Sequence, residues 1–372
     1  MNKLCAVLAS LILAFSAKAQ QIDTLPFRWL SGLIVIEGKV NGQTVDLIFD
    51  TGSNITVSTP STDAFASIKV TKTVLPTRDA SGKTTLLSRA IIKNLAIGRF
   101  KWKSIKGISA PNMPIMNCGP TLLLGQDVIR TLNWKFNFTT QQVYVSKQPW
   151  TAPQEASIWA PKWMYNKPYV PVEHAGGTHL FLIDLGFTGI IEARDTVWKQ
   201  TNKSSILFER KGITLHGFTE PYEEKLFLSD TLRIFQTIST LVPSSQEPAT
   251  PKIGAGYFKK KANYLVLNHT NNQIWMEDET IQFPTIEQAN IVVLWKDSQL
   301  FLSTKIKGDV EAEVGEEVVS ISGKTGADFP HLCAFISWWE TQGNLGRRVV
   351  LKTGKEMVVQ IKKVNDWLKQ ND

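Results

Sequence analysis

Residues 47–53 read Leu47-Ile48-Phe49-Asp50-Thr51-Gly52-Ser53, an apolar run that leads into an Asp-Thr-Gly turn. Consecutive apolar residues before a turn signal predict a buried strand, and Asp and Gly both favour the turn. The pattern returns at Phe181-Leu182-Ile183-Asp184-Leu185-Gly186-Phe187. The second copy carries Leu185 where the first carries Thr51. The chain therefore presents two aspartate-bearing loops of the same local design.

The elements that follow each loop also repeat. Residues 122–129 read as a strand that leads into a short helix, and residues 253–258 echo them after the second loop. Hairpins are then predicted within residues 134–145 and 267–275. The distance from each aspartate to the glycine of its later strand is nearly equal in the two copies. A repeat that keeps both order and spacing indicates duplicated lobes, and the scarcity of helical periodicity makes them mainly β.

Further hairpins are predicted before and after each aspartate. Asn-Gly within residues 40–43 lies between two apolar runs, which is a strong hairpin signal. A second hairpin is predicted within residues 74–97, and it turns at residues 79–82. In the second copy, hairpins are expected within residues 169–184 and around residues 217–221.

Composition limits the classes of function. The 372 residues are 43% hydrophobic and 20% charged, which suits a globular chain of two or three domains. The net charge of +8 is modest, and its only tight basic run, at residues 259–261, predicts a solvated turn. We therefore expect no nucleic-acid partner. The five histidines show no metal-ligand spacing, so no metal site is predicted.

The N-terminus predicts export. Lys3 precedes an apolar run over residues 4–15, and residues 17–19 form a small-x-small cleavage site, so residues 1–19 are expected to be a signal peptide. No later run is long enough to predict a transmembrane segment. We expect a periplasmic or secreted protein. Cys118 and Cys333 remain after cleavage, in different predicted domains, and their pairing stays open.

Composition shifts divide the rest of the chain into three parts. A Pro-rich linker at residues 149–161 separates a first lobe, residues 20–150, from a second lobe, residues 151–283. The tail, residues 284–372, has a different character. Its sequence predicts a strand within 315–324, a helix over 330–340 and two strands within 347–363, which together indicate a small α+β domain.

On these motifs, residues 30–146 resemble the retropepsin-like and pepsin-like aspartic proteases, and residues 165–277 resemble them more weakly. Asp50-Thr51-Gly52-Ser53 and Leu123-Leu124-Gly125 carry the resemblance. It implies a two-lobed aspartic-protease-like β-barrel fold with Asp50 and Asp184 as the catalytic pair. The resemblance assigns support of the catalytic loops to Thr51, Gly52, Ser53, Gly186, Leu124, Gly125 and Gly254. It assigns the substrate flap to Asp79, Ala80, Ser81 and Gly82.

Two carboxylates at close range share one proton, because both cannot ionise together. The charged one removes a proton from water, the acid donates to the peptide carbonyl, and no cofactor is needed. We hypothesise that the Ser53 hydroxyl hydrogen-bonds Asp50 and favours its charged form. Phe187 occupies the equivalent place beside Asp184 and has no such donor, so Asp184 would hold the shared proton more often, although the pair titrates as a unit. Thr188, one residue later, could supply a donor instead.

Leu185 supports a second interpretation. It lacks the hydroxyl that the family uses to tie the two loops together, so the chain could be a peptide-binding protein that keeps the fold without the chemistry. In both interpretations the partner is a peptide or protein. The second lobe already supplies a partner loop, so we expect a monomer rather than a dimer of first lobes.

The tail resembles a PDZ domain over residues 287–364. Its strand at residues 314–324 is similar to the Gly-Asp-x-Ile-x-x-Ile-Asn-Gly strand of that family. The resemblance implies that the tail presents polypeptide by strand addition. Exported bacterial aspartic-protease-like proteins carry such a tail, and this chain resembles them.

Overall fold

A computed structural model describes residues 22–78, 84–111, 113–174, 177–193, 197, 206–211, 213–214, 217–218, 222–234, 237–246, 250–278, 287–341 and 346–363. The predicted signal peptide lies outside these residues. Strands dominate them, as the sequence predicts. None of the helices that the structure describes has the length and apolarity needed to cross a membrane.

The first lobe consists of strands and short helices. Its strands are β1 (Ile22–Leu30), β2 (Leu33–Val40), β3 (Gln43–Phe49), β4 (Val57–Ser58), β5 (Lys69–Arg78), β6 (Thr84–Ile97), β7 (Phe100–Ser109), β8 (Thr121–Leu124), β9 (Asn133–Asn137) and β10 (Gln142–Ser146). Its helices are α1 (Pro60–Phe65), α2 (Gln126–Ile129) and a 3₁₀ turn at Pro114–Cys118.

The predicted hairpins of the first lobe are confirmed. Asn41 and Gly42 join β2 to β3 with positive φ values of 49° and 92°, the conformation that an Asn-Gly hairpin turn requires. Strands β5 and β6 pair antiparallel up to Arg78 and Thr84. The predicted flap residues Asp79, Ala80, Ser81 and Gly82 fall between these strand ends, outside the described residues.

The second lobe repeats this order. Its strands are β11 (Ser157–Trp159), β12 (Lys162–Met164), β13 (Lys167–His174), β14 (Gly177–Asp184), β15 (Ile191–Ala193), β16 (Ile206–Arg210), β17 (Ile213–Thr214), β18 (Gly217–Phe218), β19 (Tyr222–Ile234), β20 (Thr237–Gln246), β21 (Lys252–Gly254), β22 (Ala262–Asn268) and β23 (Gln273–Asp278). Helix α3 (Ala255–Lys261) follows β21, as α2 follows β8.

Two details of the second lobe differ from the sequence prediction. Gly217 and Phe218, where a hairpin turn was predicted, form a strand that pairs with β17, and residues 219–221 lie outside the described residues. The long β19–β20 hairpin was not predicted. Its strands carry Ser and Thr among the apolar residues, which weakens the alternation that marks a half-buried strand.

A central run of strands joins the two lobes. Its order is β11-β23-β22-β9-β10-β1, so both lobes contribute three strands. The contact between lobes is the antiparallel pairing of β9 with β22, where Phe136 lies opposite Leu265. Strand β11 lies inside the predicted linker and pairs with β23, so this part of the linker is structured. One apolar core runs continuously through both lobes.

An aromatic cluster fixes the strand that leads to the first aspartate. Phe49, the last residue of β3, packs edge-on against Trp134 and Phe136, with ring centroids 5.0 and 4.9 Å away. All three side chains are fully buried. Burial of side chains of this size stabilises a fold by about 1.5–3 kcal/mol each. Strand β3 is therefore anchored one residue before Asp50.

The tail forms its own small α+β core. Its elements are β24 (Glu287–Ala289), β25 (Ile291–Lys296), β26 (Gln299–Ile306), β27 (Glu317–Ile321), α4 (Leu332–Thr341), β28 (Arg348–Leu351), β29 (Glu356–Val358) and β30 (Ile361–Lys363). The predicted strand, helix and pair of strands are confirmed as β27, α4, β28 and β29. The β25–β26 hairpin was not predicted, and its Asp297-Ser298 turn has positive φ at both residues.

Two connections bind the tail to the lobes. Strand β26 pairs with β16 of the second lobe, so one sheet crosses the predicted boundary near residue 284. Cys118 of the first lobe forms a disulfide with Cys333 of α4, across a sequence separation of 215 residues. The pairing that the sequence leaves open is thereby resolved. The tail contacts one lobe through a covalent bond and the other through backbone hydrogen bonds.

Removal of the disulfide is expected to lower the stability of the protein. Cys118→Ser with Cys333→Ser should lower the free energy of unfolding by about 2–4 kcal/mol, because the open chain gains conformational freedom when it unfolds. Differential scanning calorimetry measures the effect, and reductant should lower the melting temperature of the wild type but not of the variant. Equal melting temperatures for the two proteins would contradict this expectation.

Candidate active site

Asp50 lies directly after the end of β3, and hydrogen bonds hold both its backbone and its carboxylate. The Asp50 N–H donates to the carbonyl oxygen of Leu124 at 3.1 Å. The backbone N–H groups of Gly52 and Ser53 donate to Asp50 Oδ1 at 2.7 and 3.0 Å. The Asp-Thr-Gly turn therefore folds back on its own carboxylate and fixes the direction in which the carboxylate points.

Asp184 occupies the equivalent place in the second lobe. It ends β14, and it lies opposite Gly254 in the parallel pairing of β14 with β21. The N–H of Gly186 donates to Asp184 Oδ1 at 3.0 Å, as Gly52 does for Asp50. The repeat predicted from the two sequence strings is thus a repeat of backbone geometry as well.

The two aspartate loops face each other, and each carboxylate packs on the glycine of the opposite loop. A Cβ atom added to Gly52 would lie 2.4 Å from Asp184 Oδ1. A Cβ atom added to Gly186 would lie 2.4 Å from Asp50 Cγ. A side chain at either glycine would collide with the opposite carboxylate. The structure therefore brings the predicted pair together and gives a steric reason for both glycines.

The Thr51 hydroxyl ties the two loops together. Thr51 Oγ1 donates to the carbonyl oxygen of Ile183 at 2.7 Å and accepts from the N–H of Leu185 at 2.9 Å. Thr51 and Leu185 are both fully buried. Leu185 supplies no hydroxyl in return and packs into the shared apolar core. Its backbone still joins the network, because only the side chain differs from threonine.

The later strands cross closely behind the two loops. A Cβ atom at Gly125 would lie 2.4 Å from the carbonyl carbon of Ile55. A Cβ atom at Gly254 would lie 2.2 Å from the carbonyl oxygen of Gly189. Both glycines therefore allow a close backbone contact behind an aspartate loop. Leu124 is bonded to Asp50, so these three residues all lie directly behind the aspartate loops.

The hypothesis that the Ser53 hydroxyl bonds to Asp50 is wrong. The Ser53 hydroxyl donates to the carbonyl oxygen of Ile55 at 2.7 Å, and it is the Ser53 backbone N–H that bonds to Asp50. The hydroxyl bonds within its own turn because the turn places a carbonyl acceptor two residues further along the chain. The predicted preference of the proton for Asp184 loses its basis with this contact.

Burial raises the pKa of Asp50 to about 8, and the negative charge of Asp184 adds to the rise. The backbone N–H groups of Gly52 and Ser53 and the charge of Lys167 oppose the rise without cancelling it. The pair therefore holds one proton at neutral pH, and this proton belongs to the pair as a unit. Two like charges in a poorly hydrated site cannot both persist.

Three residues near the pair were not predicted from the sequence. Gln126 is buried, its Nε2 donates to the Thr51 carbonyl oxygen at 3.1 Å, and its N–H donates to the Ser53 carbonyl oxygen at 2.9 Å. Lys167 and Tyr169 lie on β13, and the charge of Asp184 contributes, after burial, to a raised pKa of Tyr169. Gln126 follows directly after Gly125, and that adjacency is the signal that could have found it.

The described residues contain no group of three or more His, Cys, Asp or Glu side chains placed to hold a metal ion. Polar groups near the two aspartates include the backbone N–H groups of Gly52 and Ser53, the Thr51 hydroxyl, the Gln126 amide and the Lys167 ammonium group. Such a set suits hydrogen bonding and proton transfer.

One family comparison bears on the first lobe. Residues 36–128 match the family described as Aspartyl protease. The match runs from β2 to α2, contains Asp50 and Gly125, and ends before Asp184. No curated protein matches the chain. The first lobe is therefore similar to aspartyl proteases in sequence, and its mainly β structure agrees with that similarity.

Loss of the Thr51 hydroxyl is expected to loosen the contact between the lobes. Thr51→Val keeps the shape but leaves the Leu185 N–H and the Ile183 carbonyl without this partner, at a cost of about 2–4 kcal/mol in the free energy of unfolding. Thr51→Ser is the matched control and should remain close to the wild type. Urea unfolding measures both, and equal losses in the two variants would contradict a role for the hydroxyl.

The pKa of Asp50 predicts how stability depends on pH. Its folded value of about 8 exceeds the ordinary 3.8, so the folded state binds more protons between these values. Stability due to this group is complete below about pH 4 and falls as pH rises to 8. Asp50→Asn should flatten this part of the profile of the unfolding free energy. Asp297→Asn, in an exposed turn, should retain the wild-type slope; an unchanged slope in Asp50→Asn would contradict the assignment.

Proposed function

We propose that the chain is an aspartic endopeptidase that hydrolyses peptide bonds with water activated by Asp50 and Asp184. The observation that carries the proposal is the mutual packing of each carboxylate on the opposite loop's glycine, at Gly52 and Gly186. This arrangement holds two carboxyl groups close together from two rigid strand ends. Few other uses need such a pair, because forcing like charges together is costly.

The protonation of the pair suits its two roles. In this proposal Asp184 removes a proton from the water that attacks the peptide carbonyl carbon. Asp50 holds its proton at neutral pH and donates it toward the carbonyl oxygen. The C–N bond of the tetrahedral intermediate then breaks as Asp184 passes the proton taken from water to the leaving amine. Asp50 regains a proton from a hydroxyl of the intermediate, and a carboxylic acid forms. Water is the only co-reactant, and no cofactor is required.

The backbone bonds to Asp50 limit how far its carboxylate rotates. Oδ1 accepts from Gly52 and Ser53, so the carboxylate is held in one rotation with both of its oxygens against Gly186. In this proposal the peptide lies between the lobes, under the hairpin of β5 and β6. Residues 79–82, which lie outside the described residues, are the proposed flap over the peptide.

The tail is proposed to be a PDZ-like domain that presents polypeptide by strand addition. Strand β25 supports this role, because among the described strands it pairs only with β26 and so leaves one edge open. Residues 284–372 would then be a domain in their own right, joined to residues 20–150 and 151–283 by the disulfide and the β16–β26 pairing.

An exported monomer accounts for two further observations. A disulfide such as Cys118–Cys333 persists in oxidising compartments, which supports a periplasmic or secreted protein that has lost residues 1–19. The second lobe provides its own aspartate loop, so no second chain is needed to complete the pair. A peptide or protein is the proposed partner, and nucleic acid is not.

Leu185 supports an alternative function. Because it lacks the hydroxyl that Thr51 supplies from the other side, the Asp184 loop has fewer bonds to the first lobe. A chain with this defect could bind peptides between its lobes without cleaving them. The two functions differ in turnover alone, so cleavage assays separate them.

Cleavage of a mixed peptide library between pH 3 and 8 tests the proposal. The mature protein should cleave, with activity falling as pH approaches 8, because Asp50 then loses its proton. Asp50→Asn and Asp184→Asn should each lose on the order of 10²–10⁴-fold in kcat. Asp297→Asn is the control and should keep full activity. A wild type that binds peptides but never cleaves them would favour the binding function.

A further inference from the structure

The second lobe departs from the first directly behind its aspartate loop. In the first lobe, β4 pairs with β8 and places Val57 opposite Leu123. In the second lobe, β15 pairs with β21 and places Glu192 opposite Lys252. The two strand pairs are equivalent, because β8 and β21 each run parallel to the strand that ends in an aspartate. An apolar pair in one lobe thus corresponds to a charged pair in the other.

The charged pair is deeply buried. Glu192 is 0% and Lys252 is 8% exposed, and Lys252 Nζ lies 2.6 Å from Glu192 Oε1. Arg210 of β16 adds a second positive charge, 3.6 Å from Glu192 Oε2, and it also binds Glu224 at 3.1 Å. The site therefore holds two acids and two bases within one connected ionic network.

Lys252 also contacts the aspartate loop. Its Nζ lies 4.5 Å from the centroid of the Phe187 ring, which is within the range of a cation–π interaction. The ring fits against Gly189 and Gly254, where added Cβ atoms would lie 2.3 and 2.6 Å from ring carbons. The half-buried Phe187 ring therefore packs against two glycine backbones and one ammonium group.

Phe187 is bonded into the backbone of the Asp184 turn. Its N–H donates to the Asp184 carbonyl oxygen at 3.1 Å, and its own carbonyl oxygen accepts from the N–H of Ala255 at 2.8 Å. A displacement of the ring would move these backbone groups with it. Phe187 takes the place of Ser53, whose hydroxyl braces the first loop by bonding Ile55.

Stability alone does not explain a buried ion pair here. Desolvation of two charges often outweighs their attraction, and apolar residues of similar size are commonly neutral or stabilising replacements. The first lobe demonstrates that an apolar pair fits this position of the fold, with Val57 only 3% exposed. What the charged pair adds is the contact of Lys252 with Phe187, which an aliphatic side chain cannot reproduce as a charge–quadrupole interaction.

We propose that Lys252 and Glu192 are positioning residues for the Asp184 loop. Glu192 fixes the ammonium group of Lys252, and Lys252 holds the Phe187 ring against the two glycines. Through Phe187 they set the place of Asp184, in a lobe whose loop lacks the hydroxyls of Thr51 and Ser53. The expected effect of these residues on turnover rests on the proposed peptidase function. Their expected effect on the position of the Asp184 loop does not.

Four variants test this proposal. Lys252→Met removes the charge, Lys252→Arg keeps both contacts, and Glu192→Val with Lys252→Leu reproduces the apolar pair of the first lobe. Lys307→Met, which breaks an exposed ion pair with Glu223, is the matched control. Each is measured for kcat and KM on the cleaved peptide, for melting temperature, and for hydrogen exchange in residues 181–189 and 47–55.

Lys252→Met is expected to lower kcat at least about tenfold with little change in KM, because a misplaced carboxylate impairs chemistry more than binding. Exchange should become faster in residues 181–189 and stay unchanged in residues 47–55. Lys252→Arg and Lys307→Met should match the wild type. The double variant should recover the melting temperature but keep the low kcat and the fast exchange.

Recovery of kcat and of slow exchange in the double variant would overturn the proposal, because packing alone would then suffice. If the double variant does not fold, Phe187→Leu replaces it. That change leaves the ion pair intact, so normal exchange in residues 181–189 would contradict the role of the ring. A wild type without peptidase activity refutes the proposed function only, since exchange still reports the position of the Asp184 loop.

Discussion

The hydroxyl of Thr51 is the contact on which the arrangement of the two aspartates depends. It bonds the backbone of the second loop on both sides of Asp184, at Ile183 and at Leu185. Because these bonds are buried, the lobes cannot separate there without leaving polar groups unsatisfied. The β9–β22 pairing holds the lobes together over a longer distance. Thr51 fixes the position of the Asp184 loop relative to the Asp50 loop, and so the distance between the two carboxylates.

The two lobes hold their aspartate loops in similar geometry, but with different side chains. The first loop is held by backbone N–H bonds to Asp50 and by the bond of the Ser53 hydroxyl to Ile55. The second uses an aromatic ring, a buried ammonium group and a buried carboxylate. Both arrangements end in the same packing of Asp50 and Asp184 on opposite glycines. The raised pKa of Asp50 follows from that packing, since burial and a nearby charge both disfavour its ionised form.

Strands of the tail extend the sheet of the second lobe. Its strand β26 pairs beside β16, which carries Arg210, and its helix α4 is bonded to the first lobe through Cys333. A domain held at two points has less freedom than one held by a single connection. Any peptide that the tail binds would therefore be presented at a fixed direction relative to the lobes.

The sequence by itself determined the duplicated strands, the turn at Asn41-Gly42 and the two aspartate loops, because each depends on residues close together in the chain. The family resemblance assigned Gly125 and Gly254 to support of the loops, but the close backbone contacts that require glycine there are seen only in the structure. The sequence could not assign the Ser53 hydroxyl to Ile55, since turn geometry chooses among several nearby acceptors. The Cys118 disulfide and the Glu192–Lys252 pair were decided only by tertiary structure. Both join residues from separate strands or domains, and local sequence carries no signal for which distant groups burial will bring together.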